Sequence, residues 1–303
     1  MCDKANLERW ANGQFSRREF GAVTGAAALA ACTPGETGGE NSSSDASASA
    51  SARASGSGNL PGDQVSFSTE DGMLDGRFFA APDGPAPAVI HWPDIAGIRS
   101  SHAEMAARTA AAGYAVLLVN PYYRDASGQI WETFADFAGN GGWDIASGYR
   151  EKLSSFAIRR DTQAIVNWLD AQDEVDSARG IGAEGYCMGG PFTVYSAAEV
   201  PLRVKAAASF HGGGLVREDE ESPHRLMAGT QASFLIGIAQ DDDAKAPGDK
   251  TALREAAEIA GKSAVIEVFA GDHGWTVPDS PTFAKEEAER AFADKLKLYE
   301  DAL

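Results

Sequence analysis

The chain has 303 residues, 44% of them hydrophobic, enough for a substantial core in one large α/β domain or two small ones. A formal charge of −18 and a pI near 4.6 argue against nucleic-acid binding and against adhesion to anionic lipid. No stretch reaches the roughly 18 apolar residues that an ordinary membrane-spanning helix needs.

In chain order, Ser16-Arg17-Arg18-Glu19-Phe20 comes first, followed by the weakly apolar GAVTGAAALAA. A twin-arginine pair ahead of a short apolar region reads as a Tat export signal. The run ends Leu29-Ala30-Ala31-Cys32, which looks like a bacterial lipobox, cut before Cys32 once that thiol carries a lipid. Residues 1–32 are therefore expected to be a Tat-type lipoprotein signal peptide. Residues 33–60 are rich in Ser, Gly and Ala, bury too little apolar surface to fold, and are expected to form a disordered linker. The expected location is periplasmic or cell-envelope, with membrane contact only through a lipid anchor at Cys32. With Cys2 removed and Cys32 acylated, Cys187 is the single remaining thiol, which excludes an intramolecular disulfide.

From residue 61 to 303 strands and helices alternate without an internal repeat. VSFST (65–69) and GRFFA (76–80) predict an antiparallel hairpin, and APAVIHW (86–92) and AVLLVN (115–120) predict buried strands. Ser101-His102-Ala103-Glu104 has the spacing of a capping box for the helix between them. Residues 121–155, broken by glycines 139 to 142, predict short helices over a pocket. A stronger helix follows at 156–171, with Ile158, Ile165, Trp168 and Leu169 as its inner face. Further strands are expected at 181–186, 204–210, 234–239 and 264–270, with helices near 189–199, 250–260 and 282–302. This alternation predicts a mostly parallel sheet with helices on both faces, binding ligands at the carboxyl ends of its strands.

The elbow Gly185-Tyr186-Cys187-Met188-Gly189 carries the chemistry. It has the G-x-nucleophile-x-G spacing of a sharp strand-to-helix turn, with cysteine in the place often held by serine. Glycine on either side lets neighbouring backbone approach, and the following helix N-terminus favours a thiolate. The competing reading is a buried structural cysteine. A cysteine hydrolase also needs a base, an acid to orient it, and oxyanion donors. His273, beyond the last strand, is the best base of the five histidines. His211 comes too early in the chain for that role, and is either a pocket or a loop residue. His91 reads as structural, while His102 and His224 read as surface residues. The acid is expected after FLIGIA, where Asp241, Asp242 and Asp243 stand together; spacing alone does not choose among them.

Over about residues 64–303 the chain resembles the dienelactone hydrolase (carboxymethylenebutenolidase) family of the α/β-hydrolase superfamily. The matching stretches are PDIAGIRSSHAEMAARTAAAGYAVLLVNPYYR, GYCMGG, AQDDDAKAP and GDHGWTVPDSP. The resemblance implies an α/β-hydrolase fold and a triad of Cys187, Asp242 and His273, with Asp243 in reserve. It implies that Asp94, where the family usually has Glu, contacts and activates the resting thiol. It also implies an oxyanion hole from the backbone N–H groups of Ile95 and Met188. The family's substrate carries a carboxylate held by arginines; Arg99 and Arg124 lie in plausible loops, and Tyr122, Tyr123 and Trp275 are candidates to shape the pocket. No HExxH, CxxC, P-loop or dinucleotide fingerprint occurs, so no metal or cofactor is expected. The expected activity is hydrolysis of a small ester or lactone through a thioester. The alternatives are a broad extracytoplasmic carboxylesterase and a non-catalytic binding lipoprotein.

Overall fold

A computed structural model describes residues 60–303; the expected signal peptide, Cys32 and residues 33–59 of the expected linker lie outside the described residues. Leu60, expected in the linker, is instead buried in a core cluster with Phe79, Val89 and Val116.

The elements in order are β1 (Asp63–Thr69), β2 (Gly72–Phe79), β3 (Ala88–Trp92), α1 (Ser100–Ala111), β4 (Ala115–Val119), α2 (Phe134–Gly139), α3 (Gly142–Arg150) and α4 (Ser155–Leu169). Then come β5 (Ile181–Tyr186), a 3-10 turn at Cys187–Gly189, α5 (Gly190–Glu199), β6 (Val204–Phe210) and α6 (Pro223–Leu226). The series ends with β7 (Ser233–Ala239), α7 (Gln240–Lys245), α8 (Asp249–Ile259), β8 (Ala264–Phe269) and α9 (Lys285–Ala302). The eight strands form one sheet in the order β1-β2-β4-β3-β5-β6-β7-β8. β2 pairs antiparallel with both β1 and β4, and every other pairing is parallel.

The chain steps from β3 outward to β4, then returns to β3's other side for β5. This reversal opens a crevice at the carboxyl ends of β3 and β5, where ligands of open α/β sheets bind. β3 and β4 are buried at every position because helices cover both faces. α1 and α9 pack on the face shown by Gly182 and Glu184, where a Cβ on Gly182 would meet Tyr299 at 2.9 Å. α4 and α5 cover the opposite face, joined by Thr162 and Ser196 hydroxyls 3.0 Å apart. Ile158, Ile165 and Leu169 of α4 are fully buried as predicted. Trp168 reaches sideways instead, stacking on Phe67 of the edge strand with centroids 5.1 Å apart.

α1 departs from expectation at its start. The predicted capping box is absent: the N-cap is Arg99, in an extended conformation and without a side-chain cap bond, and Ser101 is buried in the first turn. Arg99 is fixed by carboxylates on two neighbouring loops, and this sets the helix start two residues before the expected one. Between β4 and α4 the short helices appear as predicted. Thr133 caps α2 by accepting from the Asp136 N–H, and Gly141, at φ 73°, turns the chain into α3. At the far sheet edge, β8 leaves Val265 and Val268 partly exposed, and Arg254 of α8 donates to the Ile266 carbonyl at 2.7 Å.

A polar seam crosses the core. Glu184, on central strand β5, is fully buried, and Lys295 of α9 lies 2.7 Å from its Oε2. Tyr299 donates to the same oxygen at 3.1 Å, and His91 Nδ1–H donates to Oε1 at 2.6 Å. His91 Nε2 meets His102 Nδ1 at 2.8 Å, so His102, expected at the surface, is buried. It is drawn inward because it fills the gap between His91 and the loop after β3.

Candidate active site

Cys187 sits where β5 ends, at φ 52°, a left-handed conformation that is unfavourable for a residue with a Cβ. Two glycines make the turn possible. A Cβ on Gly185 would lie 2.1 Å from the Gly189 carbonyl, and one on Gly189 would lie 2.5 Å from the Trp92 carbonyl. The elbow therefore backs directly onto the end of β3, which brings Met188 and the loop carrying Asp94 and Ile95 together. Tyr122 ties them: its hydroxyl donates to the Ile95 carbonyl at 2.8 Å, with Met188 Sδ at 3.3 Å. The Cys187 side chain is buried, and no other cysteine lies among the described residues.

The three aspartates after β7 separate cleanly. Asp241 accepts the backbone N–H of His273 at 2.7 Å, and Asp243 pairs with Lys250 at 2.7 Å. Asp242 accepts from His273 Nδ1–H at 2.6 Å. Burial alone would raise the Asp242 carboxyl, but the His273 hydrogen bond and charge outweigh it and hold the group below its ordinary range. Of the three candidates that spacing left open, Asp242 is the one bonded to the His273 ring. With Asp242 on Nδ1, Nε2 is the other ring nitrogen of His273. The His273 and His211 rings lie 5.1 Å apart, and His211 Nδ1 accepts the Cys187 backbone N–H at 3.1 Å. This second contact was missed from the sequence, because nothing local in SFHGGG marks a bond reaching 24 residues back.

Asp94 is buried and densely bonded. Arg99 grips both its oxygens at 2.7 Å, the Ala96 N–H donates to it at 2.9 Å, and His102 Nε2 lies 3.2 Å away. Burial would raise this carboxyl, but the Arg99 guanidinium outweighs that, with His102 acting in the same direction, and holds it far below the usual range. Arg99 is itself fully buried and also grips Asp279 at 2.8 and 2.9 Å, while Asp279 accepts the Phe134 N–H at 2.8 Å. Arg124 is held by Asp161 and Asp71, each at 2.7 Å. Neither arginine is free to receive a substrate. Tyr123 donates to Asp161 at 2.7 Å, and Trp275 stacks on Phe269 in the core. Beside the elbow, Met188, Pro191, Tyr195 and Gly213 help to line a cavity of about 440 Å³ that also meets Arg150 and Arg217. That volume suits a small organic molecule. No cluster of side chains able to hold a metal ion occurs among the described residues.

Sheet order and the sharp elbow at the end of β5 define an α/β-hydrolase fold. Residues 74–303 match the dienelactone hydrolase family, and the chain belongs to that family. It is accordingly a hydrolase of ester or lactone bonds. A protein of Synechocystis sp. that bears the provisional name carboxymethylenebutenolidase is 25% identical over 224 residues, covering 73% of this chain and 88% of its own. Among solved structures, a provisionally described dienelactone hydrolase from Klebsiella pneumoniae aligns with a TM-score of 0.64 at 21% identity, covering 78% of this chain and 97% of that one. The dienelactone hydrolase-like promiscuous phosphotriesterase P91 from metagenomic libraries aligns with a TM-score of 0.61 at 22% identity, covering 79% and 97%. Both structures share the fold.

Proposed function

We propose that this hydrolase acts through Cys187, with His273 as the proton carrier, Asp242 as its orienting acid, and a thioester intermediate. The observation that carries the reading is the 2.6 Å bond from His273 Nδ1 to Asp242, formed by residues after β7 and β8, behind a strained elbow that presents a cysteine. His273 Nε2 takes the Cys187 proton, and the thiolate attacks the carbonyl carbon. The carbonyl oxygen becomes an oxyanion facing the N–H groups of Ile95 and Met188. Collapse breaks the C–O bond, and the leaving oxygen takes the proton from His273. Water then gives a proton to His273 and attacks the thioester; the acid leaves and the thiolate is regenerated. Thiolates favour esters with good leaving groups, so enol lactones and activated esters fit better than amides.

The second reading keeps this chemistry but replaces the carboxylate-bearing lactone with small neutral esters. It is favoured by the internal pairing of Arg99 and Arg124, the arginines first considered for a substrate carboxylate. Export through the twin-arginine route and anchoring at Cys32 belong to the same proposal, supported by the motifs at residues 16–20 and 29–32.

The test compares mature protein with Cys187→Ala on dienelactone and on short p-nitrophenyl esters, and looks for a thioester adduct by mass spectrometry. Absence of wild-type turnover on all of them defeats the enzymatic assignment of Cys187. Ester turnover without dienelactone turnover leaves the second reading. Radiolabelled palmitate incorporation that persists in Cys32→Ala overturns the anchor.

A further inference from the structure

We infer that His211 is the positioning residue of the nucleophile, holding the Cys187 backbone N–H and linking the elbow to the loop that carries His273. The inference rests on the reading of Cys187 as nucleophile.

The N–H groups at the start of a helix have no intrahelical acceptor, and a buried one must find a partner elsewhere. Cys187 finds His211 Nδ1 at 3.1 Å. Because Nδ1 accepts, the ring proton must sit on Nε2, which donates to Thr276 Oγ1 at 2.6 Å. Thr276 lies three residues beyond His273, so a single imidazole bridges nucleophile and base loops. The backbone of His211 is fixed as firmly as its ring. Its N–H donates to the Gly237 carbonyl of β7 at 2.8 Å, and its φ is 41°. Among the described residues, Cys187 and His211 are the only non-glycine positions with positive φ, and this hydrogen bond joins them. Strain of this kind persists only where surroundings over-determine it.

Protonating His211 would set an N–H against the Cys187 N–H and break the bridge. Burial pushes the ring well below the ordinary histidine range, and the neighbouring His273 acts in the same direction. Asp242 and Asp94 face it with opposing effect, while His102 adds to the lowering. The Cys187 N–H is committed, which leaves oxyanion binding to other backbone donors.

The experiment compares wild type, His211→Leu, His211→Asn and Thr276→Val for kcat and KM on a short p-nitrophenyl ester. The pH midpoint of Cys187 alkylation by iodoacetamide is measured alongside. His211→Leu removes the acceptor and is expected to lower kcat roughly 10- to 100-fold with little change in KM, and to raise the alkylation midpoint. Asn tolerates positive φ and its Oδ1 can accept, so His211→Asn is expected to recover most of the loss and the wild-type midpoint. Thr276→Val is expected to lower kcat roughly 3- to 10-fold and to move the midpoint the same way. If His211→Leu does not fold, the Asn and Val variants decide. Wild-type kcat and midpoint in either apolar variant, or an Asn variant as impaired as the Leu one, overturns the inference. Retained activity in Cys187→Ala would defeat the nucleophile reading instead, while the wild-type and His211 midpoints would still report the coupling of ring and thiol.

Discussion

Asp241, Asp242 and Asp243 occupy consecutive positions and do three different things. One holds the His273 backbone, one its ring, and one pairs with Lys250. Asp242→Asn would offer His273 an amide N–H as readily as an acceptor and so release the required tautomer. A kcat loss of roughly a thousandfold or more is expected, by analogy with the serine triad. Asp243→Asn removes only a partly exposed ion pair, and kcat is expected within about twofold of wild type. Steady-state kinetics of the two variants separate the roles; equal losses would mean that the carboxylate cluster acts as a unit.

At the scale of elements, Arg99 fastens three separate segments. It holds Asp94 in the loop after β3 and Asp279 in the loop after β8, and Asp279 holds the first N–H of α2. Arg99→Met would strip the buried Asp94 carboxylate of its guanidinium, a loss of about 3–5 kcal/mol. The added change Asp94→Asn should recover part of it. Urea titration measures both, and hydrogen exchange should show protection lost across residues 134–139 in the single variant. The strand-helix alternation and the elbow were legible in the sequence, because the elbow lies at the end of a short apolar run. Arg99 was not. Its partners are 5 residues before it and 180 after it, and no local pattern encodes such a pairing. Ser101 misled for a related reason: its spacing from Glu104 satisfied a local rule that the Arg99 ion pairs override.

Across the whole molecule, the seam of Glu184, Lys295, His91 and Tyr299 staples α9 to the centre of the sheet. The sequence places Glu184 in the strand expected at 181–186 and Lys295 in the helix expected near 282–302, and neither residue announces burial alone. Lys295→Met is expected to cost about 3–5 kcal/mol, because it strands a buried carboxylate. The pH dependence follows from the same groups. Burial pulls His91 from 6.5 down to about 4, so the folded protein refuses a proton that the unfolded chain accepts; stability falls as pH drops through that window. Burial would raise Glu184, but Lys295 and His91 outweigh it and bring it from 4.5 to about 2, so its contribution is full above 4.5 and is lost toward 2. Urea midpoints should therefore decline progressively below about pH 6.5. A profile flat from 6.5 to 4 would contradict this role for His91.

The outermost strand has a consequence for how copies of the protein behave at high concentration. β8 ends the sheet with two partly bare valines, the arrangement that invites a foreign strand to add on. Arg254 already occupies the Ile266 carbonyl, and Arg290 lies over Phe269 while pairing with Glu267. An incoming strand would have to displace a guanidinium and bring together two chains of the same strongly acidic protein. The rim is thus guarded against aggregation by two arginines that take no part in chemistry, and solubility should be most sensitive to mutation there.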